Sequence, residues 1–554
     1  MKHFFLFALL VCITASTQAQ NFSTIVNELS QNLNTVTNSK EETTQTVTEL
    51  QPGVLQIEVI TTDIKSGKAS EKVYEFNMAD IDVNTVKAYS DKDIILVQLL
   101  ASKKQDLIKN TEDREKISYQ DAVEFSATDI NNGRKLEELF KQLIPIATEI
   151  TEKRLSLSGY EQHVQWLEKN IGVVALIDRQ YNQSIVSNPN YPGRLELKID
   201  EVTSKKTESN AYHFNLANIN PNSLVFEIDK DVSVVNLETR RKLDAVKTFS
   251  DGVQENYSSD FVIYCESVEQ ARDVQKVLKE AILLSAKKIE NTIPTINSIG
   301  DGLQVVNNYV AKVTINDTSY EQNFEGDCVV TFSKLTTDPK NVTQEEFVFN
   351  FKDLNKNVVK YSTKGKNIMI DFQTIGKNDF LKNIEDGEQQ NYTDEFSVEL
   401  SEIEDAIVLE NVFKQIIELC ENKEVRLSNS KAELVNQLSS EIKRVDDGKY
   451  RYDQTFTSED NTKFQFKSIE ISDKSSTEEI YEGNFKDLNP ISIVFETSSK
   501  SVYVTVSTNY MEKIIQYYED GEIENYQDTF EIQAANIENA RMIATLLKKI
   551  VEMK

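Results

Sequence analysis

The sequence predicts an α+β protein of four tandem repeats, each a bent antiparallel sheet or partial barrel of about seven strands closed by a C-terminal amphipathic helix. Three observations predict it. Asn77, Asn215, Asn350 and Asn484 lie in matching segments (Tyr74–Ile81, Tyr212–Ile219, Phe347–Leu354 and Tyr481–Leu488), at successive sequence separations of 138, 135 and 134. Tyr119, Tyr257, Tyr392 and Tyr526 repeat those spacings, so the Asn-to-Tyr interval is identical in every repeat, without insertion. Past each Tyr, apolar residues recur with the period of one helix face. Two anchors and a helix stripe in one register, four times over, mark a duplicated structural unit.

The elements of a repeat follow in order, most plainly in the fourth. A short helix at Lys431–Val445 (Phe22–Val36 in the first repeat) precedes three strands, Tyr450–Phe456, Phe464–Ile471 and Glu478–Asn484. Asn484 and Asp487 then mark a polar bend, where short side chains are expected to cap their own backbone. Asn77, Asn215, Asn350, Asp80 and Asp353 are read the same way. An apolar stretch (Ile493–Phe495, or Leu224–Phe226) leads to strand Val502–Val506, whose alternation places Val502, Val504 and Val506 on one buried face. The matching inward columns are Ile95/Val97/Leu99, Ser233/Val235/Leu237 and Ile368/Ile370/Phe372.

Asp-Gly pairs, which tight hairpins favour, follow at Asp251-Gly252, Asp386-Gly387 and Asp520-Gly521. The first repeat has Asp113-Arg114 instead, so its turn is expected to differ. A last strand runs from the anchoring Tyr, as in Tyr526–Gln533. It brings in Val123, Phe261, Phe396 or Phe530, read like the Tyr column as packing residues. The closing helix carries Ile543, Leu546, Leu547, Ile550 and Val551 at i, i+3, i+4, i+7 and i+8, a stripe made to lie on a sheet. Equivalent stripes begin at Leu136, Val274 and Leu409. The repeats then span 20–155, 156–291, 292–425 and 426–554, joined by charged helical segments such as Glu149–Leu155 and Glu421–Lys431.

The segment Met1–Ala19 reads as a secretory signal peptide: Lys2, an apolar run from Phe4 to Ala15, and a small-residue site that places cleavage after Ala19. The run is too short for a permanent anchor, and Val11 stands before Cys12 where lipidation wants a small residue. A periplasmic or extracellular protein without a stable membrane anchor is expected. Cleavage leaves Cys265, Cys328 and Cys420, an odd and scattered set in which no disulfide pairing is favoured.

Composition excludes more than it assigns. With 61 Lys+Arg against 90 Asp+Glu the formal charge is −29, which repels nucleic acid and anionic lipid. His163 and His213 lack zinc-ligand spacing, and no serine elbow, phosphate loop or Cys-His pair occurs. The Asp-Gly-Glu segments Asp386–Glu388 and Asp520–Glu522 lack the oxygen set of a calcium loop. Lys141, Lys279, Lys414 and Lys548 recur on the closing helices and are read as solvated positions near helix C-termini. Catalytic, cofactor and metal residues are therefore all expected to be none.

The element order, strands then one closing helix in about 135 residues, resembles the pleckstrin-homology-like fold in each of the four repeats. That resemblance implies a groove between a sheet edge and the closing helix, where a peptide adds as a strand. In this chain it would lie between Val502–Val506 and helix Asn539–Val551. Phosphoinositide binding, also known in that fold, does not suit acidic repeats without a basic loop cluster. The sequence favours a non-enzymatic binding or scaffold protein with a protein or peptide partner, since duplication serves multivalency. The alternatives are a carrier of apolar ligands in barrel cavities and a carbohydrate-active enzyme using two carboxylates. Oligomeric state stays open.

Overall fold

A computed structural model describes residues 19–423 and 426–553; of the signal-peptide reading, all but Ala19 lies outside the described residues. One local order recurs four times. In the first repeat a helix over residues 19–32 (α1) precedes β1 (Val36–Thr37), β2 (Glu41–Gln51), β3 (Val54–Asp63) and β4 (Ala69–Asn77). Then come β5 (Lys87–Asp91), β6 (Ile94–Leu100), β7 (Ile108–Glu112), β8 (Lys116–Gln120), β9 (Ala122–Ala127) and helix α2 (Ile130–Lys153). The order β1-β2-β3-β4-β7-β8 makes a six-stranded sheet and β5-β6-β9 a three-stranded one, all antiparallel. The same six-plus-three pattern returns in each later repeat. Each repeat thus has nine strands in two sheets, where about seven in one were expected. The added strands are short edge pieces such as β1 and Glu522–Ile523, too short for alternation to announce them.

A buried glutamine ties the two sheets together. In the first repeat the Gln45 amide donates to the Ser126 carbonyl (2.8 Å) and accepts from the Ser126 N–H (2.9 Å). Gln183 does the same with Tyr264, Gln322 with Glu399 and Gln454 with Gln533. A strand from the larger sheet is thereby held to the last strand of the smaller one, and both backbone groups are satisfied.

The closing helices fill the space beneath. They are α2, α4 (Val268–Glu290), α6 (Ile403–Glu421) and α8 (Ile537–Glu552), and a shorter helix flanks each: α1, α3 (Gly159–Asn170), α5 (Ile299–Val310) and α7 (Lys431–Glu441). Leu136, Leu139, Phe140, Leu143, Val274, Leu278, Leu409, Phe413, Ile543, Leu546 and Ile550 are fully enclosed. In the third repeat Phe324, Phe332, Phe351, Phe372 and Phe413 pack ring against ring through the interior. Lys141 and Lys414 lie mid-helix, not at helix ends as read from sequence. Each pairs with an acid one turn earlier, Glu137 and Glu410, which accept the Ala88 and Tyr361 N–H groups.

Two further expectations are corrected. Strand Ser501–Ser507 is the middle strand of its sheet, paired on both sides, and Val502, Val504 and Val506 are sealed under α8. The groove placed there is closed, because both edges of the strand already carry hydrogen-bonded neighbours. The hairpin turn at Asp113-Arg114 differs from its Asp-Gly counterparts, as expected, in being one residue longer: Glu112 pairs with Lys116, whereas Glu519 pairs with Glu522. Asp113 and Arg114 lie at φ +48° and +64°, Asp520 and Gly521 at +47° and +85°. In each repeat the turn Asp accepts a backbone N–H from 42 residues earlier (Glu71, Ser209, Gln344 or Glu478), and this anchors the turn whatever residue follows. The described part of the junction at 421–431 is irregular beyond Glu421, whereas the one at 149–155 is helical through Lys153.

The chain divides into two compact units, Met1–Glu290 and Asn291–Lys554, each holding two repeats. In the second, Cys328 and Cys420 form a disulfide across 92 residues, joining the loop before strand Val329–Thr337 to the end of α6. Cys265 is buried and unpaired, its thiol pushed up to about 12 by burial.

Candidate interaction face

The bends after Asn77 and Asn350 are where the paired repeats of a unit meet. Asn77 ends β4, and its Oδ1 accepts the Ala79 N–H at 2.8 Å, tightening the chain into a short 3-10 turn. Asn215 and Asn350 repeat the contact with Ala217 (3.0 Å) and Lys352 (3.2 Å). Asn484 instead donates Nδ2 to Asp487 Oδ2 at 2.9 Å.

Asp80 and Asp353, read from sequence as caps of this bend, are turned toward the following repeat. Arg272 of α4 donates Nη2 to both Asp80 oxygens, at 2.5 and 2.6 Å. Arg541 of α8 donates Nη2 to Asp353 Oδ2 at 2.5 Å. Side chains of these four are at most 20% exposed, so each pair is largely desolvated. The 3-10 turn already satisfies its own backbone, which leaves the carboxylates free to reach outward.

A glutamate three residues before each arginine completes the arrangement. Glu538 accepts Arg541 Nε at 3.2 Å and Asn350 Nδ2 at 3.2 Å. Glu269 accepts Arg272 and, at 2.6 Å, Arg154 from the end of the first repeat; Arg154 also reaches Asp273 at 2.6 Å. Burial pushes the Asp80 carboxyl up to about 6 despite the Arg272 charge. Burial acts on Glu269 in the same sense, but Arg272 and Arg154 outweigh it and hold its carboxyl below the usual range. Asp353 is raised by burial, with Arg541 opposing.

Apolar and backbone contacts surround the ion pair. Phe380 of the third repeat stacks on Phe495 of the fourth with ring centres 4.8 Å apart, and the Arg541 guanidinium lies over Phe495 at 5.1 Å. Arg272 lies over Phe226 at 5.8 Å in the equivalent place. Tyr392 donates its N–H to the Ser499 carbonyl (2.9 Å), and Gln389 donates Nε2 to the Lys500 carbonyl (3.0 Å). The Tyr392 ring is buried in the core of the fourth repeat. In the first repeat Glu75, Asn77, Leu107, Lys109 and Tyr119 line a cleft of about 310 Å³ that Ser267, Val268 and Glu269 of the second repeat close. The Tyr column, expected as core or sheet-edge packing, therefore packs between repeats in the first and third.

Among the described residues, the same face of the fourth repeat is lined by its own side chains alone. Glu482, Asn484, Ile514, Gln516 and Tyr526 occupy the positions of Glu75, Asn77, Leu107, Lys109 and Tyr119, and line a cleft of about 640 Å³. Leu107 is 5% exposed, but Ile514 is 42%, Ile523 (the counterpart of Gln389) 68% and Tyr526 50%. Beside them stand Tyr510 at 92% and Met511 at 58%, both at positive φ. The other repeats place Lys103-Lys104, Arg241-Lys242 and Gly376-Lys377 there. Only this repeat makes that turn apolar.

The arginines were legible but unread: Arg134, Arg272, Ile407 and Arg541 each follow the anchoring Tyr at one fixed spacing. His163 is enclosed, bonded to the Gly159 carbonyl (2.7 Å) and Glu280 (3.0 Å), and His213 rests against Phe249. Among the described residues no cluster of three or more His, Cys, Asp or Glu is placed to hold a metal ion. No protein-family model matches the chain, and no curated protein is similar to it.

Proposed function

We propose that this chain is an exported, non-enzymatic binding or scaffold protein, periplasmic or extracellular after cleavage at Ala19, that engages its partner through the open face of its fourth repeat. One observation supports the reading above the rest. A face that holds a following repeat in the first and third copies stands uncovered in the fourth, with Ile514, Ile523 and Tyr526 exposed. An apolar patch of this kind, rimmed by polar side chains, is characteristic of interaction sites. The six-plus-three strand order with its closing helix supports reading each repeat as pleckstrin-homology-like, with binding moved from the helix groove to the end face. The phenylalanines packed ring against ring through the interior of the third repeat give the apolar-carrier alternative no support there.

Site-specific photo-crosslinking tests this. A benzophenone side chain at Ile523 in the full exported chain, in its native host, should give a discrete adduct. The same probe at Ile177, equally exposed in the second repeat, should not. Equal labelling at both positions would contradict the proposal, as would turnover on a glycan or ester panel that one carboxylate substitution abolishes.

A further inference from the structure

Resting on that reading, we infer that the open face of the fourth repeat takes the first repeat of a second copy of this chain, joining molecules head to tail. The two contacts within the units define what an accepting and a donating face need. The accepting carboxylate is Asp80 or Asp353, and the donating guanidinium Arg272 or Arg541. Read in the same register, the turn positions are Asp80, Asn218, Asp353 and Asp487, and the helix positions Arg134, Arg272, Ile407 and Arg541. Once the two internal pairs have formed, Asp487 at the last repeat and Arg134 at the first are the carboxylate and guanidinium left over.

The rest of the first repeat suits the donating role. Ile130 stands where Val268 closes the first cleft, and is 40% exposed; Arg134 is exposed one turn later. Asn131 replaces the glutamate that offsets Arg272 and Arg541 from their own helices, so Arg134 lacks that offset. The open face is acidic, with Glu459, Asp460 and Glu482 against Lys463. A guanidinium is drawn to such a surface. Ala88 occupies the place of Phe226 and Phe495, and the aromatic area lost there is matched by Tyr510 on the accepting side. Tyr510 lies next to the counterparts of Ile375 and Asn378, which border Arg541. Because the contact joins two different surfaces, it leaves a free end on each molecule and builds chains or rings, not a closed two-fold dimer.

Sedimentation velocity of the chain from residue 20 to 554, across about a hundredfold range of concentration, tests this. The mean mass should climb past that of a dimer. Asp487→Arg and Arg134→Asp should each weaken association by about tenfold or more, since each sets like charges against one another at a desolvated contact. The double exchange, Asp487→Arg with Arg134→Asp, should restore it. A concentration-independent monomer, single variants that associate like the parent, or a double variant no better than the singles would overturn the inference. Should a single variant melt early, restoration by the double variant still decides. A wild-type monomer with an Ile523 adduct to a different protein overturns self-assembly and leaves the binding face standing; a monomer with no adduct overturns both.

Discussion

The Asp80 carboxylate of the first repeat accepts both its hydrogen bonds from Arg272 of the second, and Asp353 and Arg541 reproduce the pair between the third and fourth. Removing one partner strands the other in a low-dielectric contact. Arg272→Ala should therefore cost about 3–5 kcal/mol of local stability at neutral pH. Hydrogen exchange across α4 and the Asp80 turn measures it. A loss below about 0.5 kcal/mol, that of an ordinary surface site, would show that the pair does not hold the repeats together.

Asp80 also gives the contact a pH dependence. Its carboxyl sits at about 6 in the fold because of burial, against about 3.9 in an unfolded chain. The folded state thus holds this proton more tightly. Its contribution is fully present below about pH 4 and is lost as pH rises through about 6. Asp80→Asn has no proton to release, so the stability difference between wild type and variant should shift against the wild type between pH 4 and 6.5. A difference independent of pH over that range would contradict the assignment.

Gln454 closes the two sheets of the fourth repeat through both backbone groups of Gln533. Gln454→Leu takes the side-chain partner from that N–H and carbonyl, at up to about 1–3 kcal/mol for each group. Urea denaturation should show the loss, and exchange at Gln533 should accelerate first. Unchanged exchange there would mean the glutamine is incidental.

Arg114 holds φ +64° in a turn whose counterparts carry glycine. A side chain in that region costs about 1–2 kcal/mol, and the exposed ion pair of Arg114 with Glu71 returns little. Arg114→Gly should raise stability by about 1 kcal/mol. A loss would show that the Glu71 pair outweighs the backbone conformation.

Much of this architecture was open to reading from sequence, and the gaps have physical causes. Repeat spacing, the inward columns and the helix stripes are periodic, so Val97, Leu99, Leu136 and Ile543 could be placed inside without a structure. Gln45, Gln183, Gln322 and Gln454 escaped because loop lengths before the Asn anchors differ: of their spacings, 138, 139 and 132, the last two break the register. The Asp113-Arg114 turn, set apart by its missing glycine, is the one hairpin of the four with a three-residue loop. Asp80 and Asp353 looked like turn caps because a cap and a long-range acceptor use the same residue in the same bend. Which one a carboxylate becomes depends on an arginine 192 or 188 residues away. The cleft on the last repeat had no signal of its own; it becomes visible as an empty copy of a filled one.

Asp353 and Asp487 offer the most direct test of the account, since they are the same position in two repeats, one engaged and one open. Native-state hydrogen exchange of the full chain, kept dilute so that it remains monomeric, compares Asp353→Ala with Asp487→Ala through the amides of α8 and of the two turns. The account predicts that Asp353→Ala loosens α8 by about 2–5 kcal/mol, whereas Asp487→Ala changes its surroundings by no more than about 1 kcal/mol. Equal losses at the two positions would show that both aspartates serve only their own turns, and the idea of a shared docking face would fall.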